Sequence, residues 1–138
     1  MAVWLALGLG SALAQTAQIQ TPNRYRDGFT LPSGRLQCQY SQDPGPGLRC
    51  DVLEPTFQAP ARPADCPLAW GDSLYVAASG QAAFTCHGDT VMAVRPVLDY
   101  GQTWRRAGLS CTASRSGVRC VNTQGHGFTL ARAHYALF

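Results

Sequence analysis

Apolar positions along this chain fall in short runs that alternate with polar residues and stop at Gly, Pro, Ser or Asp. The runs occupy 29–31, 35–40, 48–53, 73–78, 82–86, 91–94, 108–113, 117–122 and 127–130. Turn signals recurring about every 8 to 12 residues predict an all-β sandwich or barrel of short antiparallel strands. No window sustains the i, i+3, i+4, i+7 apolar spacing of an amphipathic helix. Little or no helix is therefore expected, with room for one helical turn at most in 131–137.

Residues 54–67 interrupt this rhythm. Pro55, Pro60, Pro63 and Pro67 each remove a backbone donor and hold the preceding residue extended. The segment reads as a long loop carrying the chain from one sheet to the other, with Phe57 and Trp70 packing it down. Trp70 and Trp104 read as core or staple residues rather than ligand platforms. The sequence also echoes itself. Leu36-Gln37-Cys38 leads through a turn to Gly47-Leu48-Arg49-Cys50-Asp51, and Gly108-Leu109-Ser110-Cys111 leads to Gly117-Val118-Arg119-Cys120-Val121-Asn122. Gly28-Phe29-Thr30-Leu31 recurs as Gly127-Phe128-Thr129-Leu130, before the first hairpin but after the second. Shared hairpin chemistry explains two copies better than duplication of the whole fold.

The N-terminus changes the compartment. Residues 2–13 are apolar except for Ser11, and Ala12-Leu13-Ala14 supplies a small-x-small cleavage site. No Lys or Arg follows Met1, although signal peptides carry a basic leader. The run is shorter than the roughly 20 residues of a membrane-spanning helix. The expected organisation is a signal peptide at 1–14, a flexible lead-in at 15–27 and a single β-rich domain at 28–138. The expected location is secreted, periplasmic or cell-envelope, after cleavage near Ala14 and without a stable membrane anchor.

Six cysteines at 38, 50, 66, 86, 111 and 120 fit that oxidising destination. They allow 15 pairings. Facing residues on adjacent antiparallel strands lie about 4.5 or 5.5 Å apart at Cα, within disulfide reach. Local pairing of Cys38 with Cys50, Cys66 with Cys86 and Cys111 with Cys120 is therefore expected. The cysteines lack the C-x-x-C spacing of zinc sites, so no metal and no cofactor is expected. An even count in an oxidising compartment likewise leaves no catalytic thiol.

With 46% hydrophobic and 14% charged residues, the composition is that of a globular domain rather than a disordered chain. All 11 basic residues are Arg, and the net charge is +3. No run of arginines exceeds two, so the tract expected of a nucleic-acid binder is missing. Attraction to anionic envelope polymers is compatible with the surplus and would weaken with salt.

Cys86-His87-Gly88-Asp89-Thr90 is the most chemically suggestive run. A histidine and a carboxylate two apart in a turn supply a base and its orienter, and His126, between Gly125 and Gly127, is a third member. His87, Asp89 and His126 are thus the catalytic candidates. No G-x-S-x-G elbow presents a nucleophile. Turn capping accounts for Asp89 and Thr90 equally well. Tyr100, Thr90, Asn122 and His126 are the binding candidates, since a polar cluster with one aromatic suits a sugar or peptide groove.

Pro32-Ser33-Gly34, Arg49-Cys50-Asp51, the Cys86 to Thr90 run, Leu98 with Tyr100-Gly101, Gly117 to Asn122, Gly125-His126-Gly127-Phe128 and the terminal Tyr135-Ala136-Leu137-Phe138 occur together. In this combination the chain resembles a family of small secreted bacterial proteins of unknown function. The resemblance covers residues 28–138. It implies export, a compact cysteine-bonded β-rich domain and no established activity, and carries no catalytic residue with it. The expected function is a non-enzymatic envelope or extracellular binding module, monomeric, with an unknown protein or glycan partner and inhibition of a secreted hydrolase within its range. The alternative is a small extracellular hydrolase using His87, Asp89 and His126.

Overall fold

The computed structural model describes residues 23–138. The expected signal peptide and the first part of the lead-in lie outside the described residues. A 3₁₀ turn at Asn23–Tyr25 precedes ten strands: β1 (Gly28–Thr30), β2 (Leu36–Ser41), β3 (Gly47–Val52), β4 (Ser73–Ala77), β5 (Ala83–Phe84), β6 (Thr103–Arg106), β7 (Leu109–Ser114), β8 (Gly117–Val121), β9 (Gly127–Leu130) and β10 (Tyr135–Leu137). They form two five-stranded antiparallel sheets, β1-β2-β3-β4-β5 and β10-β9-β8-β7-β6. The sheets are not closed into a barrel. They share one core, so the fold is an all-β sandwich, as the alternating runs predict.

The inward residues line up across each sheet. One row runs Phe29, Cys38, Cys50, Leu74, Phe84 in the first sheet. Its counterpart in the second runs Trp104, Cys111, Cys120, Phe128 and ends on the edge strand at Leu137, which is exposed. The Cys38–Cys50 and Cys111–Cys120 disulfides lie within these rows, each between cross-strand partners. Cys66 bonds Cys86, completing the pairing that strand geometry favoured. Trp104, 1% exposed, fills the core and donates its indole N–H to the Tyr25 carbonyl at 2.7 Å. Tyr25 itself is buried, and its hydroxyl donates to the Val97 carbonyl, so packing begins ahead of β1.

The echoed Gly-Phe segments occupy equivalent places. Phe29 pairs with Cys38 and Phe128 with Cys120. A Cβ on Gly28 would stand 2.0 Å from the Cys38 carbonyl oxygen, and one on Gly127 1.9 Å from that of Cys120. Both glycines let an edge-side strand close onto a cysteine strand. The first packs on the leading arm of its hairpin and the second on the trailing arm, so the echo is one of local packing.

Four expectations are corrected. The proline-rich loop does not cross between sheets, because β3 and β4, which it joins, are neighbours in register from Gly47↔Ala77 to Asp51↔Ser73. It reaches the second sheet and returns: the Thr56 amide donates to the Arg132 carbonyl at 2.8 Å, and the Phe57 ring meets that of Tyr135 at 5.0 Å. The crossing is made by residues 85–102. Residues 91–94 form no strand, since the Val91 amide bonds the Asp51 carboxylate and the Ala93 amide bonds Gln37 Oε1. Side chains take the place of a neighbouring strand there. β6 is an added strand, joined to β7 by a two-residue turn in which Ala107 and Gly108 both have positive φ (51° and 81°). β10 replaces the possible helical turn, because the free edge of β9 offers backbone partners from Tyr135↔Leu130 to Leu137↔Phe128.

Candidate functional site

On β3, Arg49 and Asp51 are two apart and so project to the same face, opposite Cys50 and the core. Arg49 Nε lies 2.9 Å from Asp51 Oδ1 and 2.9 Å from Ser73 Oγ, and its Nη2 lies 2.9 Å from Asp51 Oδ2. Nη1 reaches Asp89 Oδ1 at 2.7 Å. Asp51 is buried, whereas the Asp89 side chain is exposed. The guanidinium thus clips residues 86–91 over the outer face of the first sheet. Burial opposes the Arg49 charge, but the hydrogen bonds and attraction of Asp51 and Asp89 outweigh it and raise the pKa. The Arg49 hydrogen bond, followed by its charge, holds Asp89 below the ordinary carboxylate value.

His87 belongs to the same segment and is 7% exposed. Reciprocal backbone bonds with Ala69 and the Cys66–Cys86 disulfide fix it there. Its Nε2 lies 2.6 Å from Asp72 Oδ1 and its Nδ1 2.6 Å from the Asp89 carbonyl oxygen. A neutral imidazole has one N–H, so only the imidazolium serves both acceptors. Burial pushes its pKa down, while the bonds to Asp72 and Asp89 more than offset that and leave it raised. Asp89 approaches His87 through its carbonyl and turns its carboxylate to Arg49. In this geometry the histidine is a clamped double donor rather than an exposed base.

The remaining sequence candidates lie elsewhere. Thr90 Oγ1 accepts from the Met92 amide in an exposed turn. Asn122 is buried at the β8–β9 turn: its Nδ2 donates to the Ala77 and Gly80 carbonyls of the first sheet's β4–β5 turn, and its Oδ1 accepts from the Gln124 and His126 amides. His126 is held through its backbone in this lacing. Tyr100 is partly exposed, with the Arg115 guanidinium 5.1 Å from its ring centre. Among the described residues, no hydrogen bond or ion pair joins His126 or Tyr100 to His87 or Asp89. The structure therefore brings His87 and Asp89 together, and separately Asn122 and His126.

Sequence reasoning did not single out the outer face of the second sheet. There Thr103, Thr112, Arg119 and Thr129 share one cross-strand row, and Arg105, Ser110 and Val121 share the next. Thr103 and Thr112 hydroxyls meet at 3.0 Å, and the Arg119 guanidinium lies 4.6 Å from the Phe138 ring centre. A cleft of about 430 Å³ opens at one end beside Arg105, Ser110, Asn122 and Thr123. A second recess of about 250 Å³ opens beside Ser114, Ser116, Arg119 and His134. The overlooked signal is the charge sequence. All eight carboxylate side chains precede Tyr100, and residues 100–138 contain five arginines and no Asp or Glu.

The Sγ atoms of Cys38, Cys50 and Cys120 lie within 4.8 Å of one another. All belong to disulfides, so their grouping is a packing contact and not a set of metal-binding thiolates. None of the described helices is long and apolar enough to cross a membrane. The disulfides fit an extracellular or periplasmic setting.

Fold and polar surfaces together define a small disulfide-braced β-sandwich domain. Its family is shown by a match over residues 1–138: the chain belongs to the family described as Family of unknown function (DUF6636). No curated protein and no solved structure matches the chain.

Proposed function

We propose that this chain is an exported, non-enzymatic binding module of a bacterial envelope or its surroundings. In this reading residues 1–14 are a cleaved signal peptide, the domain acts as a monomer, and its partner is a protein or glycan. The supporting observation is the outer face of the second sheet, where Thr112 and Arg119 are exposed on neighbouring strands braced by the Cys111–Cys120 bond. The hydrolase reading has less support, because His87 is enclosed by two acceptors and Asp89 is drawn to Arg49.

Immobilised protein is expected to recover a defined protein or glycan from envelope extract, and a Thr112→Glu/Arg119→Glu variant of unchanged thermal stability is expected to lose it. Equal recovery by both, or by neither, rejects this face. Hydrolysis of an ester, peptide or glycan that disappears in His87→Ala, Asp89→Ala or His126→Ala would establish the enzyme instead.

A further inference from the structure

We propose that the outer face of the second sheet binds a linear anionic polysaccharide. This rests on the binding-face reading above and adds the chemistry of the ligand.

Charge is partitioned along the chain. Residues 1–99 hold six arginines and all eight carboxylates, a net of −2, while residues 100–138 hold five arginines and none, a net of +5. Together they give the chain's +3. Because the second sheet spans 103–137, its own strands and turns carry arginines and no Asp or Glu, although Asp27, ahead of β1, pairs with Arg106 at 3.6 Å. Arg119 stands exposed on the outer face of that sheet, where its positive charge can attract an anion.

The arrangement on the face adds selectivity. Thr103, Thr112, Arg119 and Thr129 stand on four successive strands, so the row extends about 14 Å at a strand spacing of about 4.8 Å. Each hydroxyl can donate and accept, which matches the alternating donors and acceptors of sugar hydroxyls. Arg119 supplies a planar fork for a carboxylate or sulfate, and packing near Phe138 limits its freedom. The two recesses at either end of β7 allow a chain to enter beside Arg105 and leave beside Ser116 and His134.

The same features disfavour other polymers. A protein partner ordinarily finds a central aromatic or arginine anchor in a desolvated pocket, but this row is centred on hydroxyls and one exposed guanidinium. Duplex DNA presents a charge about every 1.7 Å, a density these few dispersed arginines do not match.

The test uses the full chain and measures binding of labelled polygalacturonate, neutral dextran and a DNA duplex by fluorescence anisotropy. Polygalacturonate is expected to bind, and to weaken as ionic strength rises from about 0.01 to 0.15 M and the Debye length shrinks from about 30 to 8 Å. Arg105→Glu/Arg119→Glu is expected to lose about tenfold or more in affinity, whereas Arg62→Glu, on the proline-rich loop, leaves it unchanged. Thermal unfolding checks each variant, and Arg119→Gln with Thr112→Val repeats the test if the double charge reversal does not fold. Equal binding of dextran, tighter binding of DNA at matched charge, or an equal loss in Arg62→Glu overturns the inference. If polygalacturonate fails while recovery of an envelope partner still depends on Arg119, the polysaccharide is wrong and the binding face stands. If both fail, both fall.

Discussion

The sulfur of Cys50 lies within 4.8 Å of the sulfur of Cys120, so disulfides belonging to different sheets touch at the centre of the sandwich. Removing Cys38–Cys50 or Cys111–Cys120 as an alanine pair is expected to cost about 2–4 kcal/mol each. Removing both is expected to depart from the sum by about 0.5–3 kcal/mol, because the two cavities share a wall. The Cys66–Cys86 bond lies apart from this contact and adds to either within about 0.5 kcal/mol. Urea unfolding followed by tryptophan fluorescence measures these losses; strict additivity of the two central bonds would show that their contact carries no energy.

The Arg49–Asp51 pair predicts a contrast between buried and exposed ion pairs. Arg49→Met leaves the Asp51 carboxylate buried without its bidentate partner and is expected to cost about 3–5 kcal/mol. Arg35→Ala removes an exposed pair with Glu54 at 3.3 Å and is expected to cost less than about 1 kcal/mol. Denaturation midpoints of the two variants should differ accordingly, and similar midpoints would rule out Arg49 as the clip of residues 86–91.

His87 gives the fold a pH dependence of definite sign. Its pKa is raised in the folded chain above the ordinary 6.5, so its contribution is fully present below that value and disappears as pH rises through the higher folded one. Asp89 acts oppositely: its pKa is lowered from 3.8, so its contribution is present above that value and disappears as pH falls through the lower folded one. Melting temperature is expected to decline from mildly acidic into alkaline solution, and His87→Gln is expected to flatten that decline. An unchanged slope in the variant would assign the decline to other groups.

Gly127 marks a position where backbone approaches backbone. The Cβ of Gly127→Ala would stand 1.9 Å from the Cys120 carbonyl oxygen, and no flexible side chain is there to yield. A loss of about 1–3 kcal/mol is expected, as for other overpacked sites. Gly45→Ala meets nothing within 4 Å and serves as the control. Thermal unfolding distinguishes the two, and equal stability would mean that β9 can move away from β8 at little cost.

Much of the fold was legible because inward residues repeat every second position: Leu36, Cys38 and Tyr40 on β2 and Leu109, Cys111 and Ala113 on β7 are all buried. The same repeat suggested the local disulfides. β6 escaped because Trp104 is its one fully buried residue, followed by two arginines, and a four-residue strand has too few positions for alternation to show. The destination of the proline-rich loop was illegible because prolines state where a strand stops, not which strand comes next.

For the polar sites, the Cys86 to Thr90 run correctly marked an unusual environment, yet not its partners. Asp72 reaches His87 and Arg49 reaches Asp89 only after β3 and β4 pair, across sequence separations of 15 and 40 residues, and Ser73 holds Arg49 in place. The outer face of the second sheet carries no compact motif. Its residues are single positions on successive strands, and cross-strand register alone collects them.

Residues 28–84 supply the first sheet and residues 103–137 the second, and each disulfide closes on one side of Val94, the fully exposed residue of the connection between them. A single cut there would leave two separately stapled pieces joined by side-chain packing and hydrogen bonds alone. The molecule is in that sense divisible: its halves can serve as complementary fragments whose reassembly reports the strength of the sheet-to-sheet interface.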